Sequence, residues 1–382
     1  MKSRLYKFLI LISAPSMFFF GGDNQNKYDP NTDILRFKGE YHLRNIRQLT
    51  FGGNNAEAYW SFDNRQLIFQ SDWDKINSQG CDQIFKMNVD GSELPNGEKY
   101  QLVSTGKGRT TCSYFLKDDR IIFASTHAKN EKCPETVSFK DSRYVWSIYD
   151  SYDIYIANSD GSNLKPLIKG KGYDAEATVS PDGKYIVFTS TRSGDLELWR
   201  YEIKTKKYKQ ITKTLGYDGG AFFSYDSKKI VWRASRPKGE EAIQYKKLLA
   251  EGLVEPKELN IFISDIDGKN VKQVTNLQGA NWAPFFHPSG EKILFCSNHH
   301  SLKNGGRLFD IFMINTDGSN LEQITNSDTF DAFPMFSYDG KKLVFASNRL
   351  PNRAQTRDTN IFIADWIEEP EAVDFNFLTI DN

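Results

Sequence analysis

The residues best able to do chemistry in this chain fall at two recurring positions. Six residues before a repeated Ser, or its equivalent, stand Asn55, Thr110, Asp174, Asp218, Asn281 and Asp331. Two residues after a second repeated Ser, or its equivalent, stand Trp73, His127, Arg192, Arg236, His299 and Arg349. Asp in the first set goes with Arg in the second, which predicts the ion pairs Asp174–Arg192, Asp218–Arg236 and Asp331–Arg349. A planar guanidinium grips a carboxylate through two parallel hydrogen bonds, so these pairs read as structural staples rather than as a ligand-binding ring. The neighbours His299 and His300 invite a metal reading, but a catalytic zinc takes three protein ligands, and His127 belongs to a distant repeat. No metal site is therefore expected; if one exists, His299 and His300 hold it. Gly-x-Ser-x-Gly elbows and Gly-rich phosphate loops are absent from the sequence. No catalytic residue and no cofactor are assigned.

Three signatures recur around these positions. The first is IRQLT at 46–50, matched at 100–103, 164–168, 208–212, 271–275 and 321–325. The second is VSPDGKYIVFTS at 179–190, matched from Trp60, Phe115, Phe223, Phe286 and Phe336. The third is DIFMINTDGS at 310–319, matched from Gln83, Asp153, Leu196, Asn260 and Asn360. Short alternating runs rich in β-branched and aromatic residues, punctuated by Asp-Gly turns, are antiparallel strands. Six copies of a four-stranded unit spell an all-β fold, a six-bladed β-propeller of antiparallel blades. The chain opens on a fourth-strand signature and ends on a third-strand one, so 46–50 is expected to pair with 361–364 and close the ring, removing two sheet edges.

The run from Ser180 to Arg192 and that from Asp310 to Thr325 resemble the WD-repeat-like blades of TolB-type propellers. The resemblance covers about 46–366 and implies the six-bladed fold. It does not fix a function, because such blades serve as interaction platforms, peptidase gates and sugar-lyase scaffolds. TolB's additional N-terminal domain is not expected here, because residues 21–45 are too short to form one.

The expected organisation is a signal peptide at 1–20, a linker or N-terminal arm at 21–45, the propeller at 46–366 and a tail at 367–382. Lys2, Arg4 and Lys7 precede a short apolar run, which suits export to the periplasm or beyond. The 49 basic and 49 acidic side chains cancel, which argues against nucleic acid as a partner. A monomer is expected.

Insertions between second and third strands gather on one face, at 73–82, 127–152, 236–259, 299–309 and 349–359, while the third blade has only the tight turn Ser193-Gly194. An elaborated face on a rigid scaffold is the default binding surface. Its candidate ligand-binding residues are Trp73, His127, Tyr144, Trp146, Trp282, His299 and His300, with Glu57 and Glu176 at the channel mouth. Residues 240–251 read as a short amphipathic helix with Ile243, Leu248 and Leu249 as its apolar positions. Cys112 and Cys133 are expected to bridge, with Cys81 a competing partner of Cys112. The function expected is that of a non-catalytic binding or scaffolding module for a protein, peptide or envelope glycan. The alternatives are a metal-dependent carbohydrate lyase or hydrolase and the gating propeller of a peptidase system.

Overall fold

The computed structural model of the protein describes residues 33–351 and 355–370. The expected signal peptide, 1–20, and the chain beyond 370 lie outside the described residues. Six four-stranded antiparallel sheets form the blades of a propeller. The plainest is the third, with strands Asp174–Val179, Tyr185–Ser190, Glu197–Glu202 and Lys207–Gln210. The innermost strands of the other blades are Asn55–Trp60, Thr110–Phe115, Asp218–Phe223, Asn281–Phe286 and Asp331–Phe336.

The repeated signatures have direct structural causes. In the Ser-x-Asp turns the serine hydroxyl donates to the aspartate two residues on, as Ser180 does to Asp182 at 2.7 Å and Ser337 to Asp339 at 2.6 Å. That bond preforms the turn. The fourth position of every second strand is aromatic, namely Phe69, Phe123, Phe188, Trp232, Phe295 and Phe345, and all six are buried. Each ring contributes about 2–3 kcal/mol of hydrophobic burial to the packing. The threonine ending the fourth-strand signature accepts a hydrogen bond from the adjacent third strand, as Thr212 does from Leu198 N and Thr325 from Ile311 N, both at 2.8 Å.

Thr50 does the same for the sixth blade, accepting from Ile361 N at 2.9 Å. The closing strand, Leu43–Gln48, pairs with Gln355–Trp366 so that Arg47 faces Ile363 and Gln48 faces Phe362. The ring is closed by an N-terminal strand, which starts three residues earlier than its signature. Residues 33–42, within the expected linker, pack on the sixth blade. Both Glu40 oxygens accept from Arg349, at 3.0 and 2.9 Å, and Arg349 also donates to Asp331 at 2.9 Å. All three side chains are fully buried.

The other two Asp–Arg pairs are formed as well, Asp174–Arg192 at 2.7 Å and Asp218–Arg236 through two bonds of 2.7 and 3.0 Å. The expected Cys112–Cys133 bridge is not. Cys81 pairs with Cys133 instead, tying the second-to-third-strand loops of blades one and two together. Cys112 sits at the third position of an innermost strand with φ 49°, and its thiol lines the central bore, away from the loops. The helix, Gly239–Ala250, forms where expected, but Tyr245 and Leu248 are its buried residues and Ile243 is 71% exposed. A phenol two residues on supplies the anchor expected of Ile243.

Candidate functional site

The innermost strands share a feature invisible in their pattern. In each, the pairing register slips after the second residue, and the third residue takes a left-handed conformation. These residues are Glu57, Cys112, Glu176, Gly220, Ala283 and Phe333, with φ between 48° and 59°. Five of the six carry a Cβ, and each such residue costs about 1–2 kcal/mol of backbone strain. All six line one small central cavity of about 30 Å3. Bulges re-aim side chains; here they turn five of them, and the bare backbone of Gly220, into the bore as a collar.

Two carboxylates stand in this collar under opposite conditions. Glu176 accepts from Arg233 Nη2 at 2.6 Å, Tyr217 Oη at 2.5 Å, Thr189 Oγ1 at 2.6 Å and Gly220 N at 2.8 Å. Burial pushes its carboxyl up, but the Arg233 charge and these bonds outweigh burial and hold it below the usual range. Arg233 comes from the second strand of blade four and passes over Gly220, where any Cβ would collide with its Nη1. A Cβ on Gly219 would likewise strike Glu176. Glu57 has no such partner. Burial raises its carboxyl to about 7, the Cys112 thiol offsetting a little and the Glu176 charge adding to the rise. Glu57 Oε2 and Arg233 Nε are shut off from solvent and have no hydrogen-bond partner among the described residues.

Toward the short-turn face the bore is filled by rings. Tyr59 packs on Tyr114 and Phe222 at 5.5 and 5.7 Å, Phe222 on Phe285 at 5.2 Å, and Tyr338 stacks on Phe62 at 4.3 Å. Toward the loop face the mouth is framed by Trp146 and Trp282, 6.0 Å apart and edge to face. The Trp146 ring also covers the Arg233 guanidinium at 5.5 Å.

Trp146 belongs to the insertion of blade two, and it reaches the mouth because another insertion holds it there. Trp146–Ser147 pairs antiparallel with Leu253–Val254 from the insertion of blade four. Lys140–Glu251 at 2.9 Å and a small core of Val145, Leu248 and Leu253 reinforce the join. The two insertions thus bridge above blade three, whose turn is too short to obstruct them. The helix is anchored from below by Tyr245 Oη donating to Asp195 at 2.5 Å. Under the bridge lies a cleft of about 740 Å3, walled by Tyr149, Tyr173, Tyr245, Leu215 and Leu249, with Glu135, Asp150 and Lys246 among its charged groups.

Of the residues singled out from sequence, Glu57, Glu176, Trp146 and Trp282 come together at the bore and its mouth. The rest do not join them. Trp73 is buried against Tyr100 at 5.7 Å and approached by Gly52 and Gly53. His127 bonds Ser125 at 2.8 Å, and His299 bonds Ser297 at 2.7 Å. Arg192 bonds Ser190 in the same way at 2.9 Å, so this position serves its own blade. His300 meets Asp310 at 2.9 Å. Tyr144 sits exposed in a small hairpin with Phe139. Among the described residues no three His, Cys, Asp or Glu side chains gather where they could hold a metal ion. Arg233, Tyr217 and Cys112 were missed; the consecutive glycines 219–220 inside a strand were the available signal.

Comparison with known proteins agrees with the architecture. The family model of the TolB beta propeller domain matches residues 247–356. An uncharacterized protein of Agrobacterium fabrum is 27% identical over 149 residues, 38% of this chain and 46% of that protein, so the match spans less than half of the relative's length. A TolB structure from Agrobacterium tumefaciens superimposes with a TM-score of 0.51 at 16% identity, over 84% of this chain and 96% of that one. TolB from Acinetobacter baumannii gives 0.49 at 16% identity, over 84% and 65%. The chain is a six-bladed β-propeller, and its residues 247–356 match the family model of the TolB beta propeller domain.

Proposed function

We propose that the protein is an exported, non-catalytic binding or scaffolding module whose loop face receives a protein, a peptide or a cell-envelope glycan. The observation that carries this reading is the bridge between the insertions of blades two and four. It builds a ligand-sized cleft with aromatic walls, and it does so on the elaborated face alone. A rigid ring beneath adaptable loops is the usual division of labour in a binding scaffold. Export is supported by the Cys81–Cys133 disulfide, since such bonds persist in oxidising compartments. Among the described residues no helix is long and apolar enough to cross a membrane.

The reading is tested by site-specific photocrosslinking in the native envelope. A photoreactive residue at Lys246, in the cleft, is expected to trap a defined partner, while one at Lys184, exposed on the short-turn face, is expected to trap none. Identical adducts from both positions, or none from Lys246 in the presence of whole envelope extract, would overturn it.

A further inference from the structure

The bore raises a question that the cleft does not. It holds a buried carboxylate oxygen with nothing to accept from, in a fold that satisfies the equivalent carboxylate of Glu176 four times over. We infer that the bore is a receptor for a primary ammonium group on an unbranched aliphatic stem, that of a lysine side chain presented by a protein or peptide partner docked on the loop face.

Charge decides the sign of the ligand. Arg233 neutralises Glu176 at 2.6 Å; its charge also offsets the rise at Glu57, but among the described residues no arginine or lysine forms an ion pair with Glu57, whose neighbour in the collar is the Cys112 thiol. The pocket as a whole is therefore one negative charge in excess when Glu57 ionises. Arg233 Nε, although unpartnered, is covered by the Trp146 face and does not present a second charge to the mouth. Geometry decides the head group. The cavity of about 30 Å3 exceeds the roughly 10–15 Å3 that one water, and hence one ammonium head, needs, and leaves no room for a bulky head group. A hard metal cation takes six or more oxygen ligands, and Glu57 Oε2 is the one buried side-chain oxygen of the pocket lining, among the described residues, that lacks a hydrogen-bond partner. The walls decide the stem. Tyr59, Phe222 and Phe333 line the pocket, and Trp146 and Trp282 frame the way in. Aromatic faces attract a cation and suit a row of methylenes, whereas the α-ammonium of a chain terminus brings its backbone with it. Glu57, Cys112, Gly220 and Phe333 are half-buried rather than fully buried, and all four line the pocket. The left-handed collar explains how the carboxylate is held there without a partner: strain at five backbone positions persists where a site is being shaped.

The experiment titrates the full protein with Nα-acetyl-lysine methylamide, its Nε-acetylated form, glycinamide and potassium chloride, read by calorimetry and by the unfolding midpoint. The lysine probe is expected to bind, and the Nε-acetylated form to bind at least about tenfold more weakly. Affinity is expected to rise about tenfold between pH 6 and 8, because Glu57 ionises across that range and the cation binds the ionised form. Glu57→Gln is expected to lose the binding while its unfolding midpoint holds or rises, which separates loss of the site from loss of the fold. Undiminished binding by Glu57→Gln, equal affinity for the acetylated probe, tighter binding of glycinamide, an equal response to potassium, or no binding by the wild type would each overturn the proposal. It rests on the loop face receiving a partner. Crosslinking from Lys246 that survives Glu57→Gln would remove the lysine and leave that reading in place.

Discussion

Glu57 and Glu176 occupy the same position of the same kind of strand, with φ 53° and 56°, and differ in almost everything else. The wall at blade three is closed: an arginine from the next blade, a tyrosine, a threonine and a glycine amide converge on one carboxylate. At blade one, the next blade's second strand carries Ala124 at the position of Arg233 and sends no charged or hydrogen-bonding side chain across. Gln70, on blade one's own second strand at the position of Thr189, accepts through its carbonyl oxygen from Thr111 Oγ1 at 3.0 Å and from Cys112 N at 3.2 Å and so ties the blades without answering Glu57. The difference teaches that a repeat's chemistry is written by its neighbour. Whether a collar carboxylate is a strut or a receptor depends on what the adjacent second strand sends across.

The sharpest way to break this comparison is to make blade three resemble blade one. Arg233→Met leaves Glu176 buried without its counter-charge and is expected to cost about 3–5 kcal/mol in denaturant unfolding. A loss near zero would mean that Glu176 is as unanswered as Glu57. Gly220→Ala tests the route rather than the charge. Its Cβ would sit where Arg233 Nη1 lies, on a backbone at φ 59°, and a loss of about 2–3 kcal/mol is expected.

The smallest effect has the opposite sign. The Glu57 carboxyl is raised from its ordinary 4.5 to about 7. The folded state thus holds a proton that the unfolded chain has released, so this group's contribution is fully present below pH about 4.5 and is lost as pH rises through 7. Glu57→Gln is expected to raise stability at pH 8 by on the order of 2 kcal/mol, below the full shift because the side chain is partly open to the bore, and to change little at pH 4. Chemical unfolding at the two pH values checks it; equal effects would place the raised group elsewhere.

The ring was legible in the chain because its signals are local and repeated. The Ser-x-Asp turns, the aromatic of every second strand and the threonine that ends four of the six fourth-strand signatures announce themselves within a dozen residues, and the spare copy ending at Thr50 told how the ring closes. Glu57 and Glu176 were legible as carboxylates near a channel. What joins Glu176 to Arg233 was not, since the two lie 57 residues apart in different blades. The disulfide failed for a related reason: whether Cys112 faces the loops or the bore turns on one backbone angle that spacing does not reveal. The bridge over blade three depends on a neighbour's shortness, which no single insertion records.

The six bulges have a consequence beyond any one ligand. Each delivers one residue to the axis while the pairing on either side of it continues, so the lining of the bore is a six-letter word, here Glu, Cys, Glu, Gly, Ala and Phe, set in an otherwise uniform frame. Letters can be exchanged one at a time without re-threading a strand. A ring built this way can change what it recognises faster than it changes how it folds.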